Sequence, residues 1–229
     1  MDTNRPHPRI LILGAGGHGR VVLDILLADA GCEVIGFLDN NPSIQGRRID
    51  GIPVMGTIDE LESIVETSGA TGVVIAIGDN GTRRGLSRRI QLAGITLVNA
   101  IHPTASIARN AMLGRGVVVA AGVVVCANCQ IGDVVILNTG CIVDHQTMIG
   151  EGSHICPGVR VAGRVKVESG VFVGIGATIV PHVTLGCEAI VGAGSVVLED
   201  VPDLATVVGV PARAIKSCSA TEDEAAMLV

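Results

Sequence analysis

The stretch IARNAMLGRGVVVAAGVVVCANCQIGDVVIL, residues 107–137, decides the fold. Its Ile107, Leu113, Val119, Val125, Ile131 and Leu137 stand six apart. The column continues without a break through Val143, Ile149, Ile155, Val161, Val167, Val173, Ile179, Leu185, Val191 and Val197. Four residues after each aliphatic comes a small or β-branched residue, such as Ala111, Val117, Cys129, Thr147, Ser153, Ala177 and Ser195. A six-residue unit is too short for a helical hairpin but suits one short strand and a tight corner. Stacked units of that size make a parallel β-helix whose narrow interior takes Ile and Val. With three units to a coil, residues eighteen apart lie directly above one another.

Composition agrees with a thin interior: 48% of the 229 residues are hydrophobic, yet there are two Phe and no Trp or Tyr. The mean hydropathy of +0.56 is high, but the longest apolar run, residues 117–127, is in register with the repeat and too short to cross a bilayer. The start, MDTNRPHP, lacks a basic-then-apolar pattern, so a cytoplasmic protein is expected. A net charge of -6 without a block of Lys or Arg argues against nucleic acid or an anionic membrane as partner. Seven cysteines in no framework spacing fit a reducing compartment. Cys126 and Cys129 form a lone CxxC that reads as packing, since a structural zinc needs about four ligands.

Ahead of the repeat lies α/β alternation. Residues 9–13 read as a strand, Gly14-Ala15-Gly16-Gly17-His18-Gly19-Arg20 as a glycine turn, and 21–30 as a helix. That is the phosphate-binding start of a βαβ unit, where glycines admit a phosphate to the backbone and the helix N-terminus offers unpaired N–H groups. A strand at 33–38 ends in Asp39-Asn40, where an acidic group meets a ribose or sugar hydroxyl. Helices are expected at 57–67 and 81–93, and further strands at 72–77, ending at Gly78, and at 95–98. The division expected is a disordered start at 1–8, a Rossmann-like nucleotide-binding domain at 9–100, the β-helix at 101–202 and a C-terminal segment with a loose tail at 203–229. The glycine turn alone fits either a phosphate site or a plain tight turn, and His18 within it either a ligand contact or a solvent-exposed loop residue.

Among the histidines, His145 has Ala127 one coil below and Gly163 one coil above, which leaves an open slot beside an imidazole at a corner. His154 stacks between Ile136 and Phe172, a more enclosed setting. His182 and His7 carry no such pattern.

The unbroken hexapeptides, the opening GAGGHGR, the terminal GVPAR (residues 209–213) and Asn138-Thr139-Gly140-Cys141-Ile142-Val143-Asp144-His145 together resemble the PglD/NeuD-type sugar acetyltransferases over residues 9–216. The resemblance implies a left-handed β-helix, a homotrimer, and acetyl-CoA in the cleft between neighbouring solenoids. The acceptor it implies is the amine of a nucleotide-linked 4-amino-4,6-dideoxysugar held by the N-terminal domain. His145, with Asp144 beside it, is similar to the general base, His154 to the histidine near the thioester, and Gly163 to the glycine whose N–H points at the acetyl carbonyl. Gly174, Ile175, Ala193, Pro211 and Arg213 fall where coenzyme A lies. Gly14, Gly16, His18, Asp39, Asn40, Gly78 and Asn138 fall on the nucleotide-sugar side. No metal is implied.

The chain departs from that pattern at one position: relatives usually carry Glu or Asp directly after this histidine, and here stands Gln146. Either Asp144 serves across the corner, or another group orients the ring, or His145 is a weaker base. Other readings of the whole chain are sugar O-acetylation of the sialic acid type, a dinucleotide-dependent oxidoreductase, a metal hydratase resembling γ-class carbonic anhydrases, and a nucleotide-sensing scaffold. The missing second mononucleotide half counts against the oxidoreductase. Histidine separations that are not multiples of the coil count against the hydratase.

Overall fold

A computed structural model describes residues 7–216. The disordered start expected at 1–8 falls, apart from residues 7 and 8, outside the described residues, as does the tail beyond 216. In the repeat, every sixth residue from Gly116 to Gly194 is left-handed, among them Asn128 (φ 59), Val134 (φ 50), Gln146 (φ 60), Gly152 (φ 66) and Arg164 (φ 62). One such residue per unit bends the chain through a corner, and two-residue strands fill the flats between. Each strand pairs in parallel with the one eighteen residues on, as in Ile136↔His154, Ile142↔Arg160 and Met148↔Lys166.

The result is a left-handed parallel β-helix of triangular section. A first face holds His154–Ile155 and Phe172–Val173, a second Ile142–Val143 and Arg160–Val161, and a third Met148–Ile149 and Lys166–Val167. The six-residue column points inward: Val119, Leu137, Val143, Ile155, Val173, Ile179, Leu185 and Val191 are all 0% exposed. Burying each such side chain contributes about 1.5–3 kcal/mol. The three hydroxyl-bearing members of the second column are satisfied inside: Thr147 Oγ1 donates to the Ala162 carbonyl at 2.9 Å, Ser153 Oγ donates to that of Glu168 at 2.9 Å, and Ser195 Oγ accepts from the Gly209 N–H at 3.1 Å. The first face runs past residue 202: Thr206–Val208 pairs in parallel with Ile190–Val191, and Arg213–Lys216 turns back antiparallel.

The N-terminal part is a five-stranded sheet built from β1 (Arg9–Leu13), α1 (Gly17–Asp29), β2 (Glu33–Leu38), β3 (Arg48–Ile49), β4 (Ile52–Gly56), α2 (Leu61–Ser68), β5 (Gly72–Ile75) and α3 (Asn80–Leu92). The order is β3-β4-β2-β1-β5, parallel except for β3. The β3–β4 hairpin has no counterpart in the sequence reading. The strand expected at 95–98 is only an isolated bridge, Val73↔Leu97, because the chain there leaves the sheet and lays Leu97 against the solenoid at Gly116.

The two parts are joined along one edge of the prism, the corner between the third and first faces. Residues 134, 152, 170 and 188 stack there one per coil, and the first turns of α3 engage them in succession. Arg83 Nε donates to the Val134 carbonyl at 2.8 Å and Nη2 to that of Gly152 at 2.7 Å. Asn80 Nδ2 donates to the Gly170 carbonyl at 2.8 Å, and Arg84 pairs with Glu188. Arg83 is 1% exposed, and its Nη1 also holds the carbonyls of Ile77 and Gly78 at 2.9 Å. A β-branched residue at φ 50 is strained, and the Arg83 bond to Val134 helps hold it.

Candidate active site

The expected site residues fall into two groups on different parts of the prism. The first gathers where the glycine turn meets the first face. His18 and His154 have ring centroids 6.4 Å apart, and Phe172 meets His154 edge-on at 5.4 Å. Asn138 Oδ1 accepts from the Thr139 N–H at 2.8 Å, so its amide nitrogen, 3.2 Å from His154 Nε2, is the donor there. The proton of a neutral His154 then sits on Nδ1, which is buried without a partner among the described residues, as is His18 Nε2. Burial first and the Arg83 charge second push both histidines down to about 4. Both rings are therefore neutral at ordinary pH, and the Arg83 guanidinium behind them favours that state.

Of the fingerprint glycines, Gly14 (φ 105) and Gly19 are required by packing: a Cβ would lie 2.8 Å from the Ala76 oxygen in one case and 2.2 Å from the Gly14 oxygen in the other. Gly16 and Gly78 have open space where a Cβ would point, so their backbones are free to meet a ligand. The Asp39 carboxylate accepts from the N–H groups of Ala15 and Asn41, both at 2.8 Å, and Asn40 Oδ1 from that of Ile58 at 2.7 Å. Both side chains thus brace the loops beside the glycine turn, and each oxygen keeps a lone pair for a hydroxyl.

Gly174, Ile175 and Ala193 lie at the corner after the first face. Gly174 is packed against the next coil, where a Cβ would meet the Ala193 nitrogen at 2.6 Å, while Ile175 is 61% exposed. Pro211 and Arg213 are exposed beyond Thr206–Val208.

The second group sits at the corner between the second and third faces. His145 and His154 are nine residues apart, half a coil, so the His145 corner is opposite the first face. The His145 ring lies on the backbone of Gly163, where a Cβ would stand 2.6 Å from Cε1 and 2.7 Å from Nε2. The N–H groups flanking Gly163 are engaged, Ala162 with the Ile179 carbonyl at 3.1 Å and Arg164 with the His145 carbonyl at 2.9 Å. That of Gly163 itself has no acceptor among the described residues. An imidazole lying on a residue whose backbone N–H is free puts a base and an oxyanion donor side by side. Asp144 does not orient the ring: its Oδ1 accepts from the His145 main-chain N–H at 2.6 Å.

Sequence reasoning missed Arg83, Arg84 and Asn80. Cations near the N-terminus of a helix oppose its dipole, and two adjacent arginines at the fourth and fifth positions of α3 were the available signal.

Residues 9–90 match the PglD N-terminal domain. A UDP-N-acetylbacillosamine N-acetyltransferase of Bacillus subtilis is 32% identical over 113 residues, and the match spans about half of each chain, 49% of this one and 51% of the relative. A histidine-to-asparagine variant of perosamine N-acetyltransferase from Caulobacter crescentus, solved with CoA and GDP-perosamine, superposes with a TM-score of 0.86 at 40% identity, covering 91% of this chain and 97% of that one. The acetyltransferase domain of PglB from Neisseria gonorrhoeae, solved with acetyl coenzyme A, gives a TM-score of 0.86 at 34% identity over 91% of this chain and 100% of that one. With its PglD-type N-terminal domain followed by a left-handed β-helix, the chain belongs to the PglD family of sugar N-acetyltransferases.

Proposed function

We propose that the protein is a cytoplasmic, acetyl-CoA-dependent N-acetyltransferase acting on the amine of a nucleotide-linked 4-amino-4,6-dideoxysugar. The observation that carries this reading is the His145 ring lying on Gly163 with that residue's N–H free. An amine attacks a thioester only when neutral. His145 Nε2 takes the amine proton as the C–N bond forms, and the Gly163 N–H receives the charge developing on the carbonyl oxygen. Collapse then breaks the C–S bond, and the proton held by His145 passes to the leaving sulfur, releasing coenzyme A as the thiol. A positioned base contributes about 10² to 10⁴ in rate, and one oxyanion donor about 10² to 10³. The open backbones of Gly16 and Gly78 would take the nucleotide's phosphates, with Asp39 and Asn40 at the sugar hydroxyls.

Because His145 and the nucleotide-binding cleft lie on opposite sides of one coil, a complete site joins two copies. His145 and Gly163 of one copy would face Asn138, His154, Ile175 and Ala193 of the next. Closed around a threefold axis, that arrangement is a homotrimer with three sites.

A thiol-release assay across nucleotide-linked 4-amino and 3-amino sugars, with His145→Ala as control, tests the proposal. Release should require both acetyl-CoA and a nucleotide-linked 4-amino sugar, and should fall by about 10² to 10⁴ in the variant. A response only to free sugars or alcohols would overturn the acceptor class.

A further inference from the structure

We infer that Arg164 is a positioning residue that sets the tautomer of His145 through the side-chain amide of Gln146. This rests on the proposed role of His145 as base. Gln146 Oε1 lies 3.3 Å from His145 Nδ1 and 3.0 Å from Arg164 Nε. A guanidinium N–H can only donate, so the Gln146 atom facing both groups is the carbonyl oxygen, not the NH₂. An oxygen can only accept, so Nδ1 carries the ring proton and Nε2 presents its lone pair. The Cε1–Nε2 edge is the part of the ring nearest Gly163. Without Arg164, the amide could rotate and offer its NH₂ to Nδ1, which would move the proton to Nε2 and silence the base.

The scaffold supports this column. Gln146 and Arg164 occupy the same left-handed corner position one coil apart, at φ 60 and φ 62, so both side chains leave the prism in the same direction. Asp144, the alternative partner, is held by the main chain. The charged and titratable groups around the ring are Arg164 beside Gln146, Asp144 on the preceding residue, Cys126 one coil below Asp144, and His182 one coil above Arg164. The ring's hydrogen-bond acceptor is thus a neutral amide with a cation behind it. A carboxylate in that place would instead stabilise the imidazolium.

Nitrogen NMR of the full chain labelled at histidine reads the tautomer without depending on turnover. The wild type should show His145 protonated on Nδ1. Arg164→Asn, which tolerates a left-handed backbone, should give a mixture of tautomers. Its kcat should fall about fivefold to tenfold, the loss of one hydrogen bond at the reacting imidazole, with an unchanged KM for acetyl-CoA. Gln146→Glu should keep the tautomer and move the acidic limb of kcat/KM up by about one pH unit. An Nε2-protonated ring in the wild type, or an Arg164→Asn protein with unaltered tautomer and pH profile, overturns the inference. Full turnover by His145→Ala would instead remove the base role while leaving the tautomer assignment intact.

Discussion

His145 and His154 belong to one solenoid and are half a coil apart, yet their surroundings are opposite. His154 is enclosed by Phe172, Asn138, His18 and the N-terminal domain, and burial with Arg83 pushes it down to about 4. His145 is exposed on a corner and held by hydrogen bonds to Gln146, itself tied to Arg164. A histidine that titrates far below neutrality is a poor base but a stable neutral hydrogen-bonding group. One on an exposed corner is open to solvent and can exchange its protons with water. The β-helix achieves the difference by placement alone, since one ring leaves a flat face that another domain covers and the other leaves a bare corner.

Substitutions at the two places should separate these roles. The largest effect is expected at the corner: Gly163→Ala puts a methyl group where the His145 ring lies, and displacing a base by about 1 Å lowers kcat by about 10²-fold. Its melting temperature should stay near wild type, because the clash is with an exposed side chain. Were Gly163→Ala to retain full kcat, the contact between ring and backbone would have no part in catalysis.

On the enclosed side the effect should be on stability. Arg83→Leu leaves the buried carbonyls of Val134 and Gly152, and the less buried ones of Ile77 and Gly78, without their donor. The loss is about 3–5 kcal/mol, read by denaturant unfolding. An unchanged midpoint would contradict the view that α3 fastens the two parts together.

A smaller effect follows from the buried histidines. His18 and His154 stay neutral in the fold down to about 4, while in the unfolded chain they take up protons near the ordinary 6.5. The unfolded state therefore binds more protons in that interval, and stability falls as pH drops from 6.5 towards 4. In His154→Asn the slope between those values should be shallower, and a thermal-denaturation series over pH measures it. A slope identical to wild type would mean that His154 is already charged in the fold.

The solenoid was legible because its signal is arithmetic: one inward aliphatic every six residues cannot be satisfied by helix or ordinary sheet. The same arithmetic placed His145 over Gly163 and His154 beside Phe172. What lay beyond it were contacts between parts distant in sequence. Asn80, Arg83 and Arg84 read four coils of one corner across separations of 51 to 104 residues, and no local pattern specifies such a match. The β3–β4 hairpin was missed because Pro53 and Gly51 interrupt a short strand pair. The bridge at Leu97 was read as a strand because burial against the solenoid and burial in a sheet call for the same apolar residues. Gln146 marked where the orienting group stands, but Arg164 one coil above the amide emerges only when residues eighteen apart are stacked with their side chains in place.

The central claim is that the base at the corner of one copy serves the nucleotide cleft of another. Mixing two disabled chains tests it directly. His145→Ala removes the base, and Gly16→Phe fills the open space at the glycine turn; each alone should be inactive with the nucleotide-linked sugar. Co-expressed in equal amounts, they should form mixed assemblies in which about one site in four pairs an intact His145 with an intact cleft. Thiol release near a quarter of the wild-type rate is the expected result, and mixed assemblies as inactive as either parent would show that each site is built from a single chain.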